Sequence, residues 1–235
     1  FEKHFFNGLV RQEAAARMGD NRRVPMTDLI QTVLIYALPV LFAITVHEAA
    51  HGYAAKYFGD MTAYQAGRIS LNPLKHIDPF GTILLPAMTI LLGGILFGWA
   101  KPVPVNFSRL RHPKKDMLWV AAAGPASNFV MALFWALVLK LTMDSPSFMA
   151  EPLGLMAKAG IGINIVLMVL NLLPLPPLDG GRIAVSLLPM HLARPFAQIE
   201  RFGFIILLVL LFTGVLSLIL DPFINAVYLL INSLI

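Results

Sequence analysis

The feature that most constrains this chain is an uncharged apolar run that ends in two histidines. Leu29 to Val46 carries no charged residue, and His47-Glu48-Ala49-Ala50-His51 follows at once. As a helix, the 18 residues of that run rise about 27 Å, which nearly crosses a hydrocarbon core of about 30 Å. The histidines therefore fall near the far face of a span rather than at the midplane. Spaced by four residues, they lie on one face, one turn apart. Neutral imidazoles so placed can share a zinc ion.

Glu48 is positioned to take a proton from a water bound to such an ion. This spacing is the H-E-x-x-H pattern of zinc proteases. Here it lies in or beside a membrane span, which points to peptide hydrolysis at membrane depth. Composition agrees with the membrane reading: 57% of the residues are hydrophobic and only 13% charged, against about 25% charged in an ordinary soluble domain. The predicted fold is an all-α polytopic membrane protein, with about five to six transmembrane or re-entrant helices and a small β-hairpin near the active site. Residues 26–235 read as one transmembrane metalloprotease domain. The net charge of +5 is explained by anionic lipid headgroups and the positive-inside rule, so nucleic acid is not expected as a partner. No cysteine is present, so any zinc must be held by nitrogen and oxygen.

Residues 1–25 differ from the rest, with Arg11, Arg17, Arg22 and Arg23 among Glu13 and Asp20. They read as an upstream extension or expression remnant, or as an amphipathic anchor on the membrane. No cleavable signal peptide is expected. Span one runs from Leu29 through the histidines to Phe58, kinked at Pro39. Ala63 to Leu71 partly alternates and ends in Asn72-Pro73, which predicts a short hairpin. Residues 80–99 are apolar but interrupted by Pro86 and Gly93-Gly94. Lys101-Pro102-Val103-Pro104-Val105 is too proline-rich for a helix. Further spans are predicted over about 117–141, 155–173 and 199–220, with Pro222 to Ile235 a partial span or interfacial helix.

Catalytic zinc usually takes three protein ligands and a water. A third histidine six residues after His51 is absent, because Tyr57 stands there. His4, His76, His112 and His191 lie in loops or in the extension. Asp179 is the better third ligand, since a carboxylate inside or beside a span is costly and marks function. Its setting, Pro174-Leu175-Pro176-Pro177-Leu178-Asp179-Gly180-Gly181, is also ordinary turn chemistry.

The chain resembles the site-2 protease family of intramembrane zinc metalloproteases. The resemblance lies in His47 to His51, in Gly124-Pro125-Ala126-Ser127-Asn128, and in Asn171 through Asp179-Gly180. Gly67 to Pro73 and Phe97 to Asn106 resemble the compact bacterial branch, without PDZ-like or nucleotide-sensing (CBS) domains. The resemblance implies His47, His51 and Asp179 as zinc ligands and Glu48 as general base. It implies Asn171 as a polar group near the scissile carbonyl, although such a residue can equally hydrogen-bond a neighbouring helix. It implies Asn128 where span three packs on the active-site helix. The implied substrate is a transmembrane helix of another protein.

The basic loop of Arg109, Arg111, Lys114 and Lys115 is predicted to be cytoplasmic, and Lys56, Arg68 and Lys75 put the preceding loop on the same side. Residues 80–99 are then a re-entrant or broken pair of half-helices; a single crossing that breaks the charge rule is the alternative. The implied setting is a bacterial cell membrane, with the active site opening near the cytoplasmic face. The rival function is a zinc transporter or a metal-binding scaffold without hydrolysis. That rival needs no glutamate directly after the first histidine.

Overall fold

The computed structural model describes residues 26–84, 88, 100–143 and 149–234. The extension expected over 1–25 and most of the broken segment expected over 80–99 lie outside them. Helix α1 spans Met26–Tyr57, and Pro39 is buried inside it without ending it. A one-turn helix, α2, covers Thr62–Gln65. The long helices α3 (Pro113–Met143) and α4 (Ala150–Asn171) follow. Two short helices, α5 (Asp179–Leu187) and α6 (Met190–Ala197), lead to α7 (Glu200–Phe212) and α8 (Val215–Leu234).

Helices α1, α3 and α4 pack on one another, and α5 lies against α3. Trp135 and Ala136 of α3, Ile161 and Ile165 of α4, Leu207 of α7 and Ile231 of α8 share one buried cluster. Outside it the surface is inverted: Val130, Phe134, Leu137, Leu218 and Leu229 are all exposed. A water-facing surface rarely carries so much contiguous apolar area. Among the described residues, α3, α4 and α8 are each long and apolar enough to cross a membrane, and α6 with α7 form a further apolar pair bent by 62°. The protein is an integral membrane protein, with three to four such candidate spans among the described residues.

Two expectations need correction. No strand occurs among the described residues, and the segment expected to form a hairpin is α2 followed by turns. Asp60 explains the change: its Oδ1 accepts from the Thr62 backbone N–H and hydroxyl, an Asx turn that leads the chain into the helical turn. The partial alternation of 63–71 is too short to outweigh that local bond. The second correction concerns the C-terminal end. The expected span over 199–220 is broken at Gly214, which takes a positive φ of 76°, and the full-length helix is α8, with Pro222 inside it.

Asp60 also organises the loop that closes over α1. Its Oδ2 accepts from the Asn106 backbone N–H at 2.6 Å. The Lys101 backbone N–H donates to the His76 carbonyl at 2.9 Å, and that of Arg111 donates to the Phe58 carbonyl at 3.0 Å. The loops before and after residues 80–99 therefore share one face of the molecule, as the charge pattern predicts.

Burial alone would raise the Asp60 pKa. The hydrogen bonds from Thr62 and Asn106, with the charge of Arg109, outweigh it and hold the carboxyl below its ordinary value of 3.8. A folded-state pKa below the unfolded one stabilises the fold above pH about 4 and loses that stabilisation as pH falls through the lowered value. Asp60→Asn is expected to cost about 1–3 kcal/mol at pH 7. The cost should shrink on acidification below pH about 4, read as converging melting temperatures of the two proteins in detergent.

Candidate metal centre

Helix α1 carries His47 and His51 on the face that meets α3, and both side chains are buried. Asp179 is the first residue of α5. Its Oδ2 stands 3.3 Å from His47 Nε2 and 3.3 Å from His51 Nε2. The two Nε2 atoms are 3.1 Å apart. Ligands at about 2.0–2.2 Å from a tetrahedral zinc stand roughly 3.3 Å from one another, so this triangle has the size of one face of that tetrahedron.

For neutral imidazoles, the hydrogen bonds behind the rings define which nitrogen carries the hydrogen. His51 Nδ1 faces the Val120 backbone carbonyl at 2.7 Å. A carbonyl only accepts, so Nδ1 carries the hydrogen and Nε2 presents a lone pair. His47 Nδ1 faces Asn128 Oδ1 at 2.6 Å, with the same consequence. The two Nε2 lone pairs thus point into one space, together with Asp179 Oδ2, a buried oxygen that makes no hydrogen bond. Lone pairs converging without a donor are unfavourable unless a cation sits among them. Two imidazole nitrogens and a carboxylate oxygen are a zinc donor set. The residues fit the metal.

Local sequence explains how Asp179 reaches this point. A Cβ on Gly180 would lie 2.3 Å from the Leu172 carbonyl oxygen, and one on Gly181 would lie 2.3 Å from the Pro176 nitrogen. Only glycines let the first turn of α5 lie this close to the end of α4. At its other end α5 is tied to α3: Ser186 Oγ donates to the Lys114 carbonyl, and Lys114 Nζ donates to the Leu188 carbonyl.

Glu48 is partly exposed, and its Oε2 accepts the Val103 backbone N–H at 2.7 Å. The proline pattern gives this bond its selectivity. Pro102 and Pro104 have no N–H, so Val103 supplies the one donor of that tripeptide. Arg68 Nη2 reaches the Lys101 and Pro102 carbonyls at 3.1 and 3.3 Å and steadies the same segment.

Asn128 is fully buried and stands against His47. Asn171 ends α4, and its amide nitrogen donates to the Leu167 carbonyl of its own helix at 2.9 Å. Sequence reasoning missed Val120, the bond of Val103 to Glu48, and Asn164. The first two act through backbone groups, which no side-chain pattern reveals. Asn164 was findable as a polar residue inside an apolar helix.

Gly124 is the point of α3 nearest the imidazoles. A Cβ there would lie 2.4 Å from His51 Nε2 and 2.6 Å from His47 Cε1. Gly124→Ala is expected to weaken zinc binding at least tenfold, the scale seen when the surroundings of a metal ligand are disturbed, as read by chelator competition. Gly154→Ala meets only Thr142 Oγ1 at 3.6 Å. It should leave zinc binding unchanged and raise stability slightly, by about 0.4–1 kcal/mol.

Comparison with known proteins agrees with this centre. The model of Peptidase family M50 matches residues 143–214, which include Asp179. A Bacillus subtilis protein named "Putative zinc metalloprotease YwhC" is 44% identical over 193 residues, covering 80% of this chain and 85% of that protein. Two proteins named "Putative zinc metalloprotease Rip2" also match. The one from Mycolicibacterium smegmatis is 36% identical, over 75% of this chain and 66% of its own length. The one from Mycobacterium tuberculosis is 30% identical over the same shares. No solved structure matches. The chain is a membrane zinc metalloprotease and belongs to peptidase family M50, the site-2 protease family.

Proposed function

We propose that this protease hydrolyses peptide bonds in or near transmembrane helices of other membrane proteins, with His47, His51 and Asp179 as zinc ligands and Glu48 as general base. The observation that carries the reading is the convergence of three ligand atoms within 4.8 Å of one another at the end of a long apolar helix, with a carboxylate one residue from the first. When bound there, zinc supplies a Lewis acid that polarises the scissile carbonyl and lowers the pKa of a coordinated water to about 7.

The rest is done by the chain. The Glu48 carboxylate takes the proton of the attacking water and returns it to the leaving amine. The Val103 N–H fixes one carboxylate oxygen, so the base is held in one orientation throughout the cycle. Asn171, at the end of α4, is proposed to contact the substrate near the scissile carbonyl. A transmembrane helix keeps its carbonyls in internal hydrogen bonds, so the substrate must unwind locally before Glu48 can act on it. Val103–Val105, which lies beside Glu48, is proposed to hold the extended substrate segment by strand addition; residues 63–71, which contain the α2 turn, are not.

The site is proposed to open near the cytoplasmic face of a bacterial cell membrane. Supporting this, the loops that carry Arg68, Lys75, Arg109 and Arg111 are tied together at the end of α1 that holds the histidines and Lys56. Basic loops stay cytoplasmic.

Glu48→Gln is expected to slow cleavage of a transmembrane-helix reporter by about 10²–10⁴-fold while zinc content stays at the wild-type level. Equal cleavage by both proteins would remove Glu48 from the mechanism. A zinc transporter would instead keep its flux in vesicles when it carries the same Glu48→Gln substitution. Val103→Pro deletes the N–H on Glu48 and should lower kcat about tenfold, whereas Val103→Ala keeps it and should not. Because the chain has no cysteine, the topology can be read from Ser108→Cys alone. An impermeant thiol reagent should label it only from the cytoplasmic side.

A further inference from the structure

We infer that Asn164, two turns before Asn171 in α4, is a positioning residue that sets the proton position of His47 through Asn128. The inference rests on the reading of His47 as a zinc ligand. Asn164 is fully buried, as is Asn128. Asn164 Nδ2 donates to the Gly160 backbone carbonyl at 2.8 Å. That carbonyl only accepts, so the amide group of Asn164 has one permitted orientation, with Oδ1 turned away from Gly160. Oδ1 then accepts from Asn128 Nδ2 at 2.9 Å. Asn128 Nδ2 has a second, longer partner in the Ala43 carbonyl at 3.3 Å. With its nitrogen held there, Asn128 can present only Oδ1 to His47 Nδ1.

Every link has one direction: donation starts at His47 Nδ1–H, passes through Asn128 and Asn164, and ends at the Gly160 backbone carbonyl of α4. Its consequence lies on the far side of the ring. With Asn128 Oδ1 against it, His47 Nδ1 keeps the hydrogen and Nε2 is free for the metal. Without Asn164, only the longer bond to the Ala43 carbonyl opposes the Asn128 amide turning over to place Nδ2 against His47 Nδ1. The imidazole then carries its hydrogen on Nε2, where it blocks the zinc. Polar groups behind a ligating histidine fix tautomer and ring orientation in this way. Here the fixing group is two residues removed from the metal, and three helices contribute to it: α1, α3 and α4.

The test measures zinc affinity of the full chain in detergent by chelator competition, with the melting temperature recorded beside it. Asn164→Leu is expected to weaken zinc binding about 10–100-fold, and Asn128→Leu by a similar factor. The double variant Asn128→Leu/Asn164→Leu should bind no more weakly than Asn128→Leu alone, within about twofold, because one residue acts through the other. Asn164→Asp keeps an acceptor for Asn128 Nδ2 and should keep zinc affinity near wild type even where it lowers the melting temperature. If Asn164→Leu does not fold, Asn164→Ala serves in its place. Unchanged zinc affinity in the Leu or Ala variant, additive losses in the double variant, or a loss in Asn164→Asp equal to that in Asn164→Leu would each overturn the inference. His47→Ala separates this from the underlying reading: if it binds zinc as the wild type does, His47 is not a ligand and the reading itself fails.

Discussion

The structure depends on an arrangement that is unfavourable without an ion. Two imidazole lone pairs and an unbonded carboxylate oxygen face one another at 3.1–3.3 Å in a buried space. With both imidazoles neutral, as metal ligation requires, no hydrogen points into this space, because each ring's hydrogen is committed to an acceptor behind it. Much of the remaining architecture serves to hold these atoms together. Helix α3 supplies Asn128 and the Val120 carbonyl, and at Gly124 it leaves room for the rings. Helix α4 backs Asn128 through Asn164 and delivers the turn that carries Asp179. Glycines at 180 and 181 allow that turn to close.

A membrane setting makes such a centre expensive to assemble and hard to disturb. Polar groups at depth must find partners within the protein, and the asparagine pair does so with both side chains fully buried. The same requirement shapes the loop over Glu48. Alternating prolines leave a single N–H between Pro102 and Pro104, and it meets the carboxylate. The loop is thus both a cover for one side of α1 and a support for Glu48, the proposed general base. Asp60 and Arg68 anchor it at either side.

How much of this could be read in the sequence differs by type of signal. His47 and His51 were legible because helical spacing converts a four-residue interval into a shared face. Asp179 was legible because a carboxylate flanked by apolar helices has few uses. The β-hairpin was not present, because a local side-chain bond from Asp60 to Thr62 outweighed a weak alternation. The C-terminal span was misplaced because Gly214 breaks the apolar run and Pro222 does not. Backbone contributors such as Val120 and Val103 carry no side-chain signature at all. Asn164 did carry one, but a single amide in an apolar helix reads first as helix packing.

The most direct measurement is X-ray absorption at the zinc edge on the purified chain, with Asp179→Ala beside it. The account predicts one zinc per chain with nitrogen and oxygen neighbours at about 2.0–2.2 Å, an imidazole signature from two histidines, and an altered set of neighbours in Asp179→Ala. A chain that retains no zinc, or a set of neighbours unchanged by loss of the Asp179 carboxylate, would contradict it.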